Sequence, residues 1–251
     1  MTSNDKDFVF GKHAGLDFLK TQDADRINKV FLQQGVQESF ANEVFGLAKK
    51  KGIIVQTVPK NKLDQLVQGG NHQGLVLTVA SFEYAALDDL LAQFDRDEKE
   101  PFLLMLDSIE DPHNLGSILR TADATGVDAI IIPKRHATGL TSVVAKTSTG
   151  AIDHVPVARV NNLVQTSQML KKHGYWLFGT DMKGTDYRRW DSNGKTVLVI
   201  GNEGKGISRL LKEQMDQMLT LPMVGHVQSL NASVATGVLL YQMLNSRNPL
   251  N

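Results

Sequence analysis

Asn114 and Arg120 stand six residues apart in Leu106-Asp-Ser-Ile-Glu-Asp-Pro-His-Asn-Leu-Gly-Ser-Ile-Leu-Arg-Thr-Ala-Asp-Ala124. An apolar strand there gives way to a polar loop and then to a helix through Leu115, Ile118, Leu119 and Ala122, the kind of junction where α/β sheets bind ligands. Arg120 lies about one and two-thirds turns beyond Asn114, within reach of the carboxyl edge of the sheet. Asn114 equally suits a helix N-cap, and an isolated helical Arg is ordinarily a surface charge. His113 is a candidate general base, with no identified partner for its second ring nitrogen.

Two later strand-to-loop junctions repeat the design. Gly201-Asn-Glu-Gly-Lys-Gly206 resembles a phosphate loop at first sight, yet it fits neither Gly-x-Gly-x-x-Gly nor the Lys-Ser/Thr ending of a P-loop. Glu203 would repel an anion and suits an amine, a hydroxyl or a nearby Arg. Its glycines let the backbone fold tightly around a neighbour. In the third junction, Ser229 and Asn231 precede the last helix, either as site residues or as simple caps.

The elements that must position these residues fall into two parts. Near the N-terminus, 27–32, 53–58 and 74–80 read as strands. Phe40, Val44, Leu47 and Ala48 line one face of a helix that Gly52 ends, and a short helix over 63–67 stops at Gly69-Gly70. Residues 1–80 are thus expected to form a small α/β domain. Residues 81–105, with seven Asp/Glu against two Lys/Arg, read as an acidic connector. The apolar stretches 102–107, 129–133, 152–157, 176–180, 197–201 and 218–222 alternate with helical ones, which predicts a mainly parallel sheet covered on both faces, with 106–251 as the larger domain. A final helix over 231–245 carries Val234, Val238, Leu239, Leu240, Tyr241 and Met243, which predicts burial in the core or against a second subunit.

The chain has 251 residues, 41% of them hydrophobic and 22% charged, as in a globular protein. It has no cysteine, which excludes disulfides, thiolate catalysis and cysteine-ligated metal, and fits a reducing compartment. The polar start Met1-Thr-Ser-Asn-Asp-Lys-Asp7 lacks an apolar signal core, and no apolar run approaches the eighteen or so residues of a membrane span. A cytoplasmic protein with no membrane partner is expected. Net charge is zero, but 1–80 holds ten Lys/Arg to eight Asp/Glu and 106–251 holds fifteen to twelve, so each part can present a mildly basic face to RNA.

The order and content of the three junctions resemble the SpoU-type (TrmH family) RNA ribose 2′-O-methyltransferases of the knotted methyltransferase superfamily. Asn114 and Arg120 match the first family motif, Asn202-Glu203-Gly204 the second, and Ser229-Leu230-Asn231-Ala232-Ser233 the third, with Ala232 where a Val is commoner. Val144-Ala-Lys-Thr-Ser-Thr-Gly-Ala151 and Val155-Pro-Val-Ala-Arg-Val-Asn-Asn-Leu163 resemble the bacterial branch that methylates a guanosine of large-subunit ribosomal RNA. So do Phe8-Val-Phe-Gly-Lys-His-Ala14 and His72-Gln-Gly74 in the small N-terminal domain, and the likeness covers nearly the whole chain.

This resemblance implies an α/β fold: a ribosomal-protein-like RNA-binding domain followed by a mainly parallel methyltransferase domain with a trefoil knot. It implies S-adenosylmethionine held around Thr180, Gly201, Leu221, Met223, Ser229 and Leu230, S-adenosylhomocysteine as product, and no metal. Catalysis falls to Asn114, Arg120, Glu203 and Asn231, and the partners are ribosomal RNA, not DNA, and a second copy of the chain. Lys12, Arg26 and Arg120 are the expected RNA contacts, and Lys49-Lys50-Lys51 is either a further one or a solvated face. A guanidinium stays protonated at any ordinary pH, so Arg120 is expected to bind the phosphate beside the target ribose and steady oxyanion charge, oriented by Glu203 and Asn114. A tRNA or resistance-type ribosomal RNA ribose methyltransferase shares the chemistry. A non-catalytic RNA-binding or assembly factor would have no need of Asn114, Arg120, Glu203 and Asn231 together.

Overall fold

The computed structural model of the chain describes residues 8–22, 24–79, 82–227 and 229–249. The polar start Met1 to Asp7 and the domain boundary at Ala80 and Ser81 lie outside them. The chain divides into two compact units, one reaching Glu83 and including Gly139–Ser142, the other holding Tyr84–Thr138 and the residues from Val143 on.

The first unit follows from alternation of side chains along its strands. Its elements are β1 (Phe8–Phe10), α1 (Lys12–Thr21), β2 (Ile27–Gln33), α2 (Glu38–Lys50), β3 (Val55–Val58), α3 (Lys60–Leu66) and β4 (Leu75–Val79). The sheet order is β1-β4-β2-β3, with β2 and β3 parallel and the other pairs antiparallel. Val30, Leu32, Leu75 and Leu77 meet Leu16 and Leu19 of α1 and Phe40 and Val44 of α2, while Phe31, Val58 and Val76 meet Leu63 of α3. Ile53, expected in a strand, instead donates its N–H to Ala48 O and closes the exit of α2, so β3 starts at Val55.

The second unit contains α4 (Leu87–Arg96), β5 (Phe102–Leu106), α5 (Pro112–Thr125), β6 (Ala129–Pro133), α6 (Ser142–Ser148, all but its first residue), β7 (Val157–Val160), α7 (Leu163–Lys172), β8 (Trp176–Asp186), β9 (Thr196–Ile200), α8 (Arg209–Lys212), β10 (Gln217–Thr220) and α9 (Ala232–Arg247). Its six strands run in the order β10-β8-β9-β5-β6-β7, and every pair is parallel. Leu103, Met105, Val197 and Val199 share a core cluster with Leu87, Leu91 and Phe94 of α4, Leu163 and Leu170 of α7, and Leu211 of α8. Alternate residues such as Leu104 and Leu198 project to the opposite face, where α5 and α9 pack together and bury Leu115, Ile118, Leu119, Leu239 and Leu240.

Three expectations are corrected. The segment 81–105 is not only a connector: α4 lies within it and its apolar residues at 87, 91 and 94 repeat at helical spacing into the core, leaving 95–100 exposed. The strand expected over 152–157 is a 3₁₀ turn at Ala151–Asp153 followed by a strand that starts after Pro156, a residue with no N–H to donate. Finally, β8 runs well past Thr180. It pairs Gly179 with Met218 and then Thr185 with Leu219, so the intervening residues 180–184 bulge from the ladder.

The chain leaves β5 toward β6 on one side, whereas β9 flanks β5 on the other. A crevice outside the carboxyl ends of the strands is the consequence, and there the three polar junctions meet.

Candidate active site

Each junction is held by its own hydrogen bonds before any of them meets another. Asp111, not Asn114, caps α5, accepting from the His113 N–H at 2.9 Å, with Pro112 in the first turn. Asn114 is therefore inside the helix and buried, with its amide left for tertiary contact. Asn231 does cap α9: its Oδ1 accepts from the N–H groups of Ser233 at 2.9 Å and Val234 at 3.3 Å. That leaves its Nδ2 for the site.

The loop after β9 closes on itself, since Asn202 N donates to Gly206 O at 3.1 Å and Gly206 N to Asn202 O at 2.8 Å. Asn202 Oδ1 accepts from Gly204 N and Lys205 N, and its Nδ2 donates to Ser108 O at 3.0 Å. Asp107, 6% exposed, holds the far side by accepting from Ser208 N at 2.7 Å and from Ser108 Oγ at 3.1 Å. A buried carboxylate is tolerable only when bonded in this way. Sequence reasoning missed Asp107 and the part played by Asn202, because their partners lie about a hundred residues away.

Glu203, presented by this loop, joins all three junctions. Its Oε1 accepts from Asn114 Nδ2 at 3.0 Å, Asn231 Nδ2 at 2.5 Å and the Ala232 N–H at 3.1 Å, and Asn231 Nδ2 also donates to Asn114 Oδ1 at 2.9 Å. The Ala232 N–H belongs to the first turn of α9, where the helix dipole favours a negative charge. The expectation that Glu203 and Asn114 orient Arg120 is corrected: two amides and a helix N–H take the carboxylate oxygen. Arg120 is exposed on α5 and makes no hydrogen bond or ion pair among the described residues. His113 also points elsewhere, its Nδ1 lying 3.4 Å from Thr147 Oγ1.

Beside Glu203 opens a cavity of about 720 Å³. Thr180, Gly201, Leu221, Met223, Ser229 and Leu230, the six residues expected to hold a small molecule, all line it. Leu219, Pro222 and Leu239 extend its apolar wall, and Asp181, Lys205 and His226 add polar groups. Asp181 stands in the β8 bulge, where the Lys212 ammonium and then the Lys183 N–H hold its carboxyl below the usual carboxylate range. The apolar run that marks this strand ends at Thr180, so nothing in the sequence pattern singles out Asp181. Among the described residues no group of three His, Asp or Glu could hold a metal ion.

In the first unit, Arg26 is exposed, while the Lys12 ammonium sits 4.9 Å from the centroid of the Phe40 ring. Lys49 and Lys50 are exposed, but Lys51 donates to Lys20 O and Gln22 O at the end of α1 and does not belong to a free basic run.

Both units match known proteins. Residues 101–241 match the SpoU rRNA Methylase family, and residues 8–85 match the RNA 2'-O ribose methyltransferase substrate binding family. The Bacillus subtilis (strain 168) protein named "Putative TrmH family tRNA/rRNA methyltransferase YacO" is 51% identical over 249 residues, 99% of each chain. The AdoMet-bound rRNA methyltransferase of Sinorhizobium meliloti superposes with a TM-score of 0.59 at 24% identity, over 98% of this chain and 88% of that one. The TrmH/SpoU tRNA modifying enzyme of A. aeolicus is 29% identical with a TM-score of 0.54, over 63% of this chain and 84% of its own. With Asn114, Glu203 and Asn231 brought together at the carboxyl edge of a parallel sheet, and likeness running through both units, the chain belongs to the SpoU family of RNA ribose methyltransferases.

Proposed function

We propose that the protein transfers the methyl group of S-adenosylmethionine to a ribose 2′-hydroxyl of ribosomal RNA, most specifically a guanosine of the large-subunit RNA. The observation that carries this reading is the cavity: the six residues that family likeness assigns to the donor line one space, and the Glu203 cluster lies at its wall. About 720 Å³ suits a small-molecule ligand. Leu219, Leu221 and Pro222 offer adenine an apolar wall, and the Asp181 carboxylate suits a cationic ligand. When bound, S-adenosylmethionine supplies an already electrophilic methyl group.

The chain's own residues then have distinct tasks. Arg120 grips the phosphate next to the target ribose and steadies charge developing on the 2′-oxygen, as a fork of donors does better than a point charge. Asn114 and Asn231 fix Glu203, and Ser229 faces the donor. The family's trefoil knot belongs to the same reading. Ribosomal RNA is preferred to tRNA in this reading on the sequence likeness of residues 144–151 and 155–163 to the branch that methylates large-subunit ribosomal RNA. The test is to incubate the purified protein with methyl-labelled donor and with large-subunit RNA or tRNA, and to map the labelled nucleotide. Label in a large-subunit guanosine is the expected result. Label in tRNA alone replaces the substrate, and no label in any RNA favours a non-catalytic binding factor.

The first unit supplies RNA affinity in this reading, with Lys12 and Arg26 as phosphate contacts. Replacing one phosphate contact lowers the slope of log affinity against log salt by about 0.7–0.9. Arg26→Ala is expected to show that decrease in filter binding, with donor affinity unchanged; an unaltered slope removes Arg26 from the interface. We also propose a homodimer acting in the cytoplasm. Its support is that α9 leaves Val234, Val238 and Tyr241 exposed along one face at i, i+4, i+7 while Leu239, Leu240 and Met243 fill the core, and light scattering reads the mass.

A further inference from the structure

All three donors that reach Glu203 end on the same oxygen. Oε1 accepts from Asn114 Nδ2, Asn231 Nδ2 and Ala232 N, whereas Oε2 has no partner among the described residues. A glutamine carbonyl can also accept from three N–H groups, though more weakly than a carboxylate, so tying the loop to α5 and α9 does not by itself require the second oxygen to be basic. What the carboxylate adds is a second, basic oxygen. Three bonds from two helices fix the head of the side chain, and Glu203 is exposed and lines the cavity, so Oε2 is both held in place and open to a ligand.

We propose that Glu203 Oε2 accepts the proton of the ribose 2′-hydroxyl during methyl transfer. This rests on the reading of the cavity as a methyl-donor site. As the 2′-oxygen bonds to the methyl carbon, the carbon–sulfur bond breaks with its electron pair left on sulfur, and the 2′ proton passes to Oε2. The resulting carboxylic acid returns that proton to water when the products leave. Charge balances: a cationic donor, a carboxylate and a neutral hydroxyl become a neutral thioether, a carboxylic acid and a neutral ether.

The other candidates are less suited. Arg120 cannot take the proton, because a guanidinium has no free acceptor at ordinary pH. His113 makes its ring contact with Thr147 and does not line the cavity. Lys205 and His226 do line it, but no hydrogen bond among the described residues fixes either side chain.

Glu203→Gln separates the two tasks of this residue, since the amide keeps an acceptor for the three N–H groups and puts a non-basic NH₂ in place of Oε2. The full chain carrying this substitution is compared with wild type by thermal melting, calorimetry with S-adenosylmethionine, and single-turnover transfer to large-subunit RNA. The melting midpoint is expected to be unchanged and the donor affinity to stay within about twofold of wild type, while the transfer rate falls by about 10²-fold or more. Near wild-type transfer by Glu203→Gln overturns the proposal.

Should that variant lose the donor as well, Glu203→Ala decides. Formate is expected to restore transfer in proportion to its concentration, and formamide, similar in shape but not basic, is expected to restore none. Equal behaviour with the two additives overturns the proposal. A wild-type protein that binds S-adenosylmethionine but methylates no RNA overturns the proposed function and this inference together, an outcome distinct from failure of the variants alone.

Discussion

Arg120→Lys is expected to bind RNA and donor nearly as wild type does and to lose turnover by about 10²–10³-fold, the loss typical when one donor to a developing oxyanion is removed. The position makes this a clean measurement. Arg120 is exposed and has no hydrogen bond or ion pair among the described residues, so its replacement breaks nothing that holds α5. That helix is fixed instead by Leu115, Ile118, Leu119 and Ala122 on its buried side. Lys keeps the charge and therefore most of the long-range attraction to RNA, but it gives up the planar fork that can hold a phosphate and a 2′-oxygen in one geometry. A surface arginine without a role would change turnover by less than about twofold, since substitutions at such positions are nearly neutral. Single-turnover transfer at saturating donor and RNA distinguishes the two, and a near wild-type rate removes Arg120 from the chemistry.

How legible each element is in the sequence follows from how locally it is encoded. Strand β5 is buried at every position, so its run Phe-Leu-Leu-Met-Leu has no polar residue to disguise it. Helix α4 is masked in the sequence by Asp88, Asp89 and Asp95 and by the acidic run that follows it, although Leu87, Leu91 and Phe94 carry the apolar spacing. The run 152–157 could not be told from a strand by periodicity, since a buried 3₁₀ turn consumes the same apolar residues. The extension of β8 through residues 181–186 is paired by backbone bonds to β10 after a register shift, which leaves no side-chain signature.

The site shows the same division. Asn114, Glu203 and Asn231 were legible as a set through family likeness, but they lie 89 and 117 residues apart along the chain, and nothing local shows which of them touch. Charge alone favoured a Glu203–Arg120 pair. The structure instead gives the carboxylate oxygen to neutral amides and a helix N–H, which orient it without neutralising it.

Gly201→Ala is expected to remove donor binding, with a loss of at least about tenfold in affinity and a destabilisation of about 3 kcal/mol, at the upper end for overpacking. A Cβ on Gly201 would lie 2.2 Å from Gly206 C, 2.3 Å from Ile207 N and 2.5 Å from Gly206 O. All three are backbone atoms, so no rotamer change can relieve the clash. The backbone there is also committed: residues 202 and 206 exchange two hydrogen bonds, and Ser208 N is held by buried Asp107. Moving residues 206–207 outward therefore breaks the loop that carries Glu203 and one wall of the cavity. Gly204→Ala is the internal control, because its Cβ would meet only Asn202 Oδ1 at 3.7 Å, an ordinary contact. That variant is expected to keep donor affinity within about threefold, as small effects away from cores and strained backbone usually do. Calorimetry with S-adenosylmethionine and thermal melting on the two variants separate a steric requirement at one glycine from general intolerance of the loop. Equal donor affinities in Gly201→Ala and Gly204→Ala would show that the close approach of residues 201 and 206 is not what shapes the donor site.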